Sequence, residues 1–153
     1  MGRRLQGRAA RATHITSGGA GFCGTALVRE LAQRGDADIR LTLVGMADTF
    51  GGGIAYGAAR EQHLLNVRAR EMGIDPDVSG GFAVALHLGA SGQVDSLPRL
   101  AYGDYLHGVL DAAIANSRVP VHRQPHEAIA LERVRDGFRV FPDDVHAFLI
   151  HRA

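Results

Sequence analysis

"HITSGGAGFCGTALVREL", residues 14–31, holds glycines in two overlapping registers. Gly19, Gly21 and Gly24 spell GxGxxG; Gly18, Gly21 and Gly24 spell GxxGxxG. Either pattern marks a tight turn from a strand into a helix. Upstream, ATHITS (12–17) reads as a short strand, interrupted by Thr13 and His14. Downstream, FCGTALVRELAQRG (22–35) carries Ala26, Leu27, Leu31 and Ala32 at near-helical spacing, with Gly35 as a natural stop. DIRLTLVG (38–45) follows as a second strand. Strand, glycine turn, helix and strand within residues 12–45 make a βαβ unit, whose two strands run parallel. The expected fold class is α/β.

The glycines have a chemical use in that context. One allows the chain to turn tightly. A second lets a phosphate approach the backbone without meeting a Cβ, and a third lets helix and strand pack closely. A pyrophosphate then rests on the free N–H groups and positive dipole end of the helix. Gly19, Ala20, Gly21, Phe22, Cys23 and Gly24 are therefore the candidate cofactor-binding turn of a Rossmann-like parallel sheet. The plain alternative is a glycine turn that binds nothing. The GxxGxxG register suits NAD(P)-binding epimerase-like domains, which pair a tyrosine with a lysine four residues on. Arg60, Leu106 and Val109 stand four residues after Tyr56, Tyr102 and Tyr105, so that dyad is missing.

Composition excludes more. All 17 basic residues are arginine, so no Walker lysine or Schiff-base lysine exists in this chain. The only cysteine, Cys23, excludes an internal disulfide and a Cys-rich zinc site, and fits a cytoplasmic location. His122 and His126 are split by Pro125 and share no helical face, so no metal is expected. A net charge of +1 gives no reason to expect nucleic acid. No apolar run approaches the roughly 18 residues of a membrane span.

The 153 residues suit one ordinary domain. Residues 1–11 read as a disordered basic tail, Arg-rich and without the apolar core of a secretory signal. The domain is expected over 12–142. Within it ADTFGGGIAYGA (47–58) reads as a glycine-rich loop, and VSGGFAVALHLGA (78–90) has a modest helical face. LPRLAYGDYLHGVLDAAIANS (97–117) predicts a helix from near Leu100, with Leu106, Val109, Leu110 and Ala113 as its apolar stripe. VPVHR (119–123), HEAIALERV (126–134) and GFRVF (137–141) read as strands, the last two about a turn at Asp136-Gly137. Residues 143–153 read as a C-terminal tail that admits a helix.

Two further stretches carry a resemblance. "LTLVGMADTFGGGIAYGAAREQHLLNVRAREM" (41–72) followed by "LPRLAYGDYL" (97–106) resembles the FAD/NAD(P)-binding domain shared by FAD-dependent urate hydroxylases and L-aspartate N-oxidases. The shared pattern is a GxGFSG turn, GxGxAY, HLLNVPAxRM and PRxxYGxYL. It is met here by Gly19, Gly21, Phe22 and Gly24, by Gly51, Gly53, Ala55 and Tyr56, by His63 to Val67 and Met72, and by Pro98, Arg99, Tyr102, Gly103, Tyr105 and Leu106. The resemblance implies the GxGxxG register and FAD as cofactor, with NAD(P)H admitted as co-substrate. It implies that His63, Leu65 and Asn66 lie along the flavin side and Arg99 near the cofactor.

Departures from the pattern bear on function. An acid that holds the ribose hydroxyls is expected at the end of the second strand, about 20 residues after the turn. Gly45 stands there, and Asp48 is the candidate substitute. Losing such hydrogen bonds costs about 1.5–3 kcal/mol each, so Gly45→Glu is expected to tighten FAD binding. Pro and Arg of the pattern are Arg68 and Glu71 here, and Cys23 replaces its serine. Relatives continue to a strand ending in Ala-Thr-Gly that closes the FAD site, and nothing here matches it. The expected function is thus the FAD-binding N-terminal portion of a flavin-dependent oxidoreductase or monooxygenase, partial and inactive alone. The alternatives are a non-enzymatic partner-binding remnant, or an NAD(P)-binding epimerase-like domain. The expected ligand is a small-molecule dinucleotide, and a second copy or a partner chain would cover the open sheet edge.

Overall fold

The computed structural model describes residues 12–35, 38–88, 97–143 and 148–151. β1 (Thr13–Gly18) leads through the glycine turn into α1 (Phe22–Arg34) and then β2 (Ile39–Val44). β1 and β2 pair in parallel from Thr13–Ile39 to Gly18–Val44. β3 (Val121–Gln124) adds on the other side of β2, again parallel, with Leu41 opposite Val121. The sheet order β1-β2-β3 leaves β1 and β3 at its edges. β2 is the central strand, and Leu41, Leu43 and Val44 are almost wholly buried. Such a run is expected where helices and loops cover both faces.

α1 packs against α4 (Arg99–Ala115). α1 turns Val28 and Ala32 inward and ends at Gly35, which takes the left-handed conformation at φ 69°. Leu27, expected in the apolar stripe, is instead exposed on α1. Gly24, Thr25, Val28 and Ala32 form the buried face, a rotation that brings small residues toward the sheet. On α4 the expected stripe is inward: Leu106 and Leu110 are fully buried, and Val109 and Ala113 pack at the margins of the core.

The glycine-rich stretch 47–58 is not an open loop. It forms a 3-10 turn (Ala47–Thr49) and a short helix, α2 (Gly53–Gly57), seated on α4. Glycines masked that helix because they weaken its propensity. A second 3-10 turn (Ala69–Glu71) and α3 (Gly81–Ala85) follow. They build a core of Leu65, Ala69, Ile74 and Phe82 against Tyr102 and Leu106 of α4. The Tyr102 ring meets Tyr56 and Phe82 edge-on at 4.9 and 5.0 Å.

A second sheet is antiparallel: β4 (Ala128–Val134), β5 (Gly137–Pro142) and β6 (Phe148–His151). The hairpin between β4 and β5 forms as read from sequence, but its turn is Arg135-Asp136, one residue earlier than expected, because Gly137 already pairs with Val134. The C-terminal stretch is a correction. Residues 148–151 form a strand, not a helix, with Gly137 opposite His151 and Val140 opposite Phe148. The outer edge of β5 would otherwise leave its backbone donors and acceptors unpaired, and β6 satisfies them. The basic tail at 1–11 lies outside the described residues.

Candidate dinucleotide site

The C-terminal ends of β1 and β2 and the N-terminus of α1 meet at a cleft of about 370 Å³. Its wall runs from Gly18–Gly21 past Val44–Met46 to Glu127 and Ala128, and Thr49, Gly53 and Ile54 complete it. A cleft outside the carboxyl ends of parallel strands is where open α/β sheets bind ligands.

The helix end is built for an anion. The N–H of Thr25 bonds the Gly21 carbonyl at 2.9 Å, which closes the first helical turn. Phe22, Cys23 and Gly24 come before it, so their N–H groups have no acceptor inside the helix. Gly21, the N-cap residue, makes no side-chain cap bond, and no acidic residue sits in the first turn to compete for the dipole.

Each glycine of the turn has a steric role that can be read directly. A Cβ on Gly24 would collide with the Gly19 carbonyl oxygen and come within 2.8 Å of Leu43 Cδ1. This is the close helix–strand packing assigned to the third glycine. Gly21 differs from expectation. Its Cβ would meet Gly53 Cα at 3.2 Å, and a Cβ on Gly53, at φ 59°, would meet Gly21 Cα at 2.9 Å. The space beside Gly21 is thus taken by a second glycine loop, joined to the turn by the Gly51 N–H on the Ala20 carbonyl at 2.7 Å. Gly18, by contrast, has open space where its Cβ would be. Phe22 and Cys23 are exposed on the first turn of α1, outside the cleft wall.

At the strand end, Gly45 is hemmed in. A Cβ there would lie 2.6 Å from the Ala20 Cβ and 3.3 Å from Thr49 Oγ1. Ala20 fills the room that an acidic side chain would need at its root. Asp48 lies in the 3-10 turn and walls a separate hollow of about 150 Å³, with Tyr56, Asp104 and His107. Among the described residues Glu127 is the sole ionisable residue in the wall of the main cleft. It arrives there because the Gly45 N–H bonds the Gln124 carbonyl at 3.1 Å, joining the ends of β2 and β3. Its own carbonyl accepts the Asp143 N–H at 3.0 Å. No spacing rule in the sequence pointed to Glu127, whereas Gly18 belongs to the GxxGxxG register and Gly53 to the GxGxAY pattern.

His63, Leu65, Asn66 and Arg99 come together, but away from this wall. Leu64 and Pro98 form an antiparallel bridge. The Leu65 N–H bonds the Leu97 carbonyl at 2.8 Å, and the Arg99 N–H bonds the His63 carbonyl at 2.8 Å. Arg99 Nε donates to the Leu64 carbonyl at 3.3 Å, and His63 Nδ1 accepts the Arg60 N–H at 3.1 Å. Leu65 is buried in the core, whereas His63 and Asn66 are exposed.

The shifted ionisable groups lie elsewhere. A hydrogen bond from Arg123 holds the Asp111 carboxyl below its usual range. Burial, helped by the neighbouring Tyr105 and Tyr56, pushes the Tyr102 phenol up to about 12. Among the described residues no three metal-ligating side chains cluster. Nor is any helix among them long and apolar enough to cross a membrane.

A parallel sheet, a glycine turn opening an uncapped helix and a cleft at the strand ends define a Rossmann-like dinucleotide-binding domain. Residues 19–152 match the model of the FAD-NAD(P)-binding family, and the chain belongs to that family. Its cofactor class is accordingly a flavin or nicotinamide dinucleotide. A search of curated proteins finds no match.

Proposed function

We propose that the domain binds FAD and is the FAD-binding portion of a flavin-dependent oxidoreductase or monooxygenase, with NAD(P)H as co-substrate. The observation that carries this is the uncapped N-terminus of α1 opening on the cleft, in a chain of the FAD-NAD(P)-binding family. The choice of FAD is supported by the HLLNV and PRxxYGxYL stretches, which resemble flavin hydroxylases. The main-chain N–H groups at Gly19–Gly24 hold the diphosphate. His63, Leu65, Asn66 and Arg99 brace the start of α4 beside the flavin half. Flavin, when bound, supplies hydride and electron transfer. The cleft wall orients it but, among the described residues, offers one ionisable residue, Glu127, for proton chemistry. The chain by itself is therefore inferred to bind FAD without substrate turnover. The lone Cys23 favours a cytoplasmic setting.

The test is flavin binding by calorimetry and fluorescence with Gly18→Leu. That position has open space for a side chain at the cleft wall, so the variant should fold normally and lose binding. Undiminished FAD affinity in folded Gly18→Leu would place the site elsewhere. Substrate-dependent NADPH consumption above about 1 s⁻¹ would overturn the inference of inactivity.

A partner-binding module is the second reading, favoured by one feature of the antiparallel sheet. Ile129 and Leu131 are each 63% exposed and Phe138 is 44% exposed. Sedimentation showing a monomer across micromolar concentrations would remove self-association from this reading.

A further inference from the structure

We infer that the Glu127 carboxylate accepts the ribose hydroxyls of the adenosine half, and so makes the cleft select adenine dinucleotides that lack a 2′-phosphate. This rests on the dinucleotide reading above. A dinucleotide seated on a helix N-terminus places its adenosine ribose toward the end of the second strand, where an acid normally receives the hydroxyls. Here that strand end has no side chain, and Ala20 and Thr49 leave no room for one at Gly45. Asp48 walls a different hollow. Among the described residues Glu127 is the remaining carboxylate, and it stands in the same wall as Gly45 and Met46. It enters from the β3–β4 link, whose path is set by the Gln124 carbonyl on Gly45 and the Asp143 N–H on the Glu127 carbonyl. The backbone is thus anchored while the exposed side chain is left to meet a ligand.

The chemistry suits two hydroxyl donors. An ionised carboxylate has only acceptors and takes hydroxyl hydrogen bonds at both oxygens. The same charge works against a 2′-phosphate. Among the described residues no arginine stands in the cleft wall to neutralise that dianion, which would face the Glu127 carboxylate. Selectivity for the free diol follows from one residue that no dinucleotide motif marks.

The experiment is calorimetry on the full chain with FAD, ADP-ribose and 2′-phospho-ADP-ribose. The wild-type protein should bind ADP-ribose at least about tenfold more tightly than its 2′-phosphate. Glu127→Ala should weaken FAD and ADP-ribose by about tenfold, the scale of a lost charged hydrogen bond. Glu127→Gln keeps an acceptor but not the charge, and should bring the two ADP-riboses within a few-fold of each other, roughly threefold. Circular dichroism checks each fold, and the 2′-phosphate comparison needs no variant. Equal binding of the two ADP-riboses by wild type, or unchanged FAD affinity in Glu127→Ala, overturns the inference and leaves FAD binding standing. Failure of wild type to bind FAD or ADP-ribose overturns both.

Discussion

The glycine turn at 19–24 and the clasp between 63–66 and 97–99 are both dense in motif residues, yet they treat their backbones in opposite ways. The turn leaves the N–H groups of Phe22, Cys23 and Gly24 without helical acceptors, beside an open cleft. The clasp pairs several of its backbone groups across its two segments. Leu65 bonds Leu97, Arg99 bonds His63, and even the Arg99 side chain ends on a carbonyl, that of Leu64. Leu65 then enters the core beside Phe82 and Tyr102. A charged ligand needs donors that the fold has not already spent. On that ground the turn is equipped to receive a diphosphate, and the clasp is equipped to fix the start of α4. A distinctive stretch of sequence can thus serve packing as readily as binding, and the state of its hydrogen bonds tells the two apart.

The comparison can be broken most forcefully at the clasp. Leu65→Ala removes a buried side chain and should cost about 2–5 kcal/mol of stability, read as the shift in urea unfolding. A cost near zero would mean that the clasp is not part of the core. At the turn, Gly24→Val forces a Cβ against the Gly19 carbonyl and Leu43, and should cost about 1–3 kcal/mol without any ligand present. If that variant keeps wild-type stability and loses only FAD binding, the third glycine serves the ligand and not the helix–strand contact.

The strand end gives a double test. Gly45→Glu alone should not tighten FAD binding, because its Cβ meets that of Ala20. Paired with Ala20→Gly in a Glu127→Ala background, where the ribose hydroxyls have lost their acceptor, it should bind FAD about tenfold more tightly than Ala20→Gly in that background, about 1.4 kcal/mol. Titration of all four proteins forms the cycle, and equal gains with and without Ala20→Gly would show that Ala20 is no obstacle.

The smallest effect is expected beyond the clasp, at Tyr102. Its hydroxyl donates to the Gly73 carbonyl at 3.1 Å, so Tyr102→Phe should cost about 1 kcal/mol. The same change alters the alkaline limb of stability. The phenol is held near 12 in the fold against an ordinary value of 10.0, so the unfolded chain gives up its proton first. Its contribution is complete below pH 10 and is lost as pH rises toward 12. Absorbance titration of the tyrosinates should show a late-ionising residue in wild type that is missing from Tyr102→Phe.

Local pattern was sufficient for much of this molecule. The alternation of strand, glycine turn and helix over 12–45, the apolar stripe of α4 and, to within one residue, the hairpin of β4 and β5 are all legible in the sequence. Period and turn chemistry are properties of neighbouring residues, so they survive without knowledge of the fold. The helix hidden in the glycines of 53–57 and the strand at 148–151 are not legible that way. The first is held by α4, and the second is chosen by the unpaired edge of β5.

The sequence by itself determined that a parallel α/β unit would carry a glycine turn between strand and helix, because that turn depends on residues side by side in the chain. Only the tertiary structure decided what surrounds it. It set Gly53 against Gly21, put the Ala20 methyl where a side chain at Gly45 would begin, and turned Asp48 toward another hollow. It also brought Glu127, more than a hundred residues along from the turn, into the same cleft. Which atoms occupy a given space is settled by segments distant in sequence, and one chain read in order does not show where they meet.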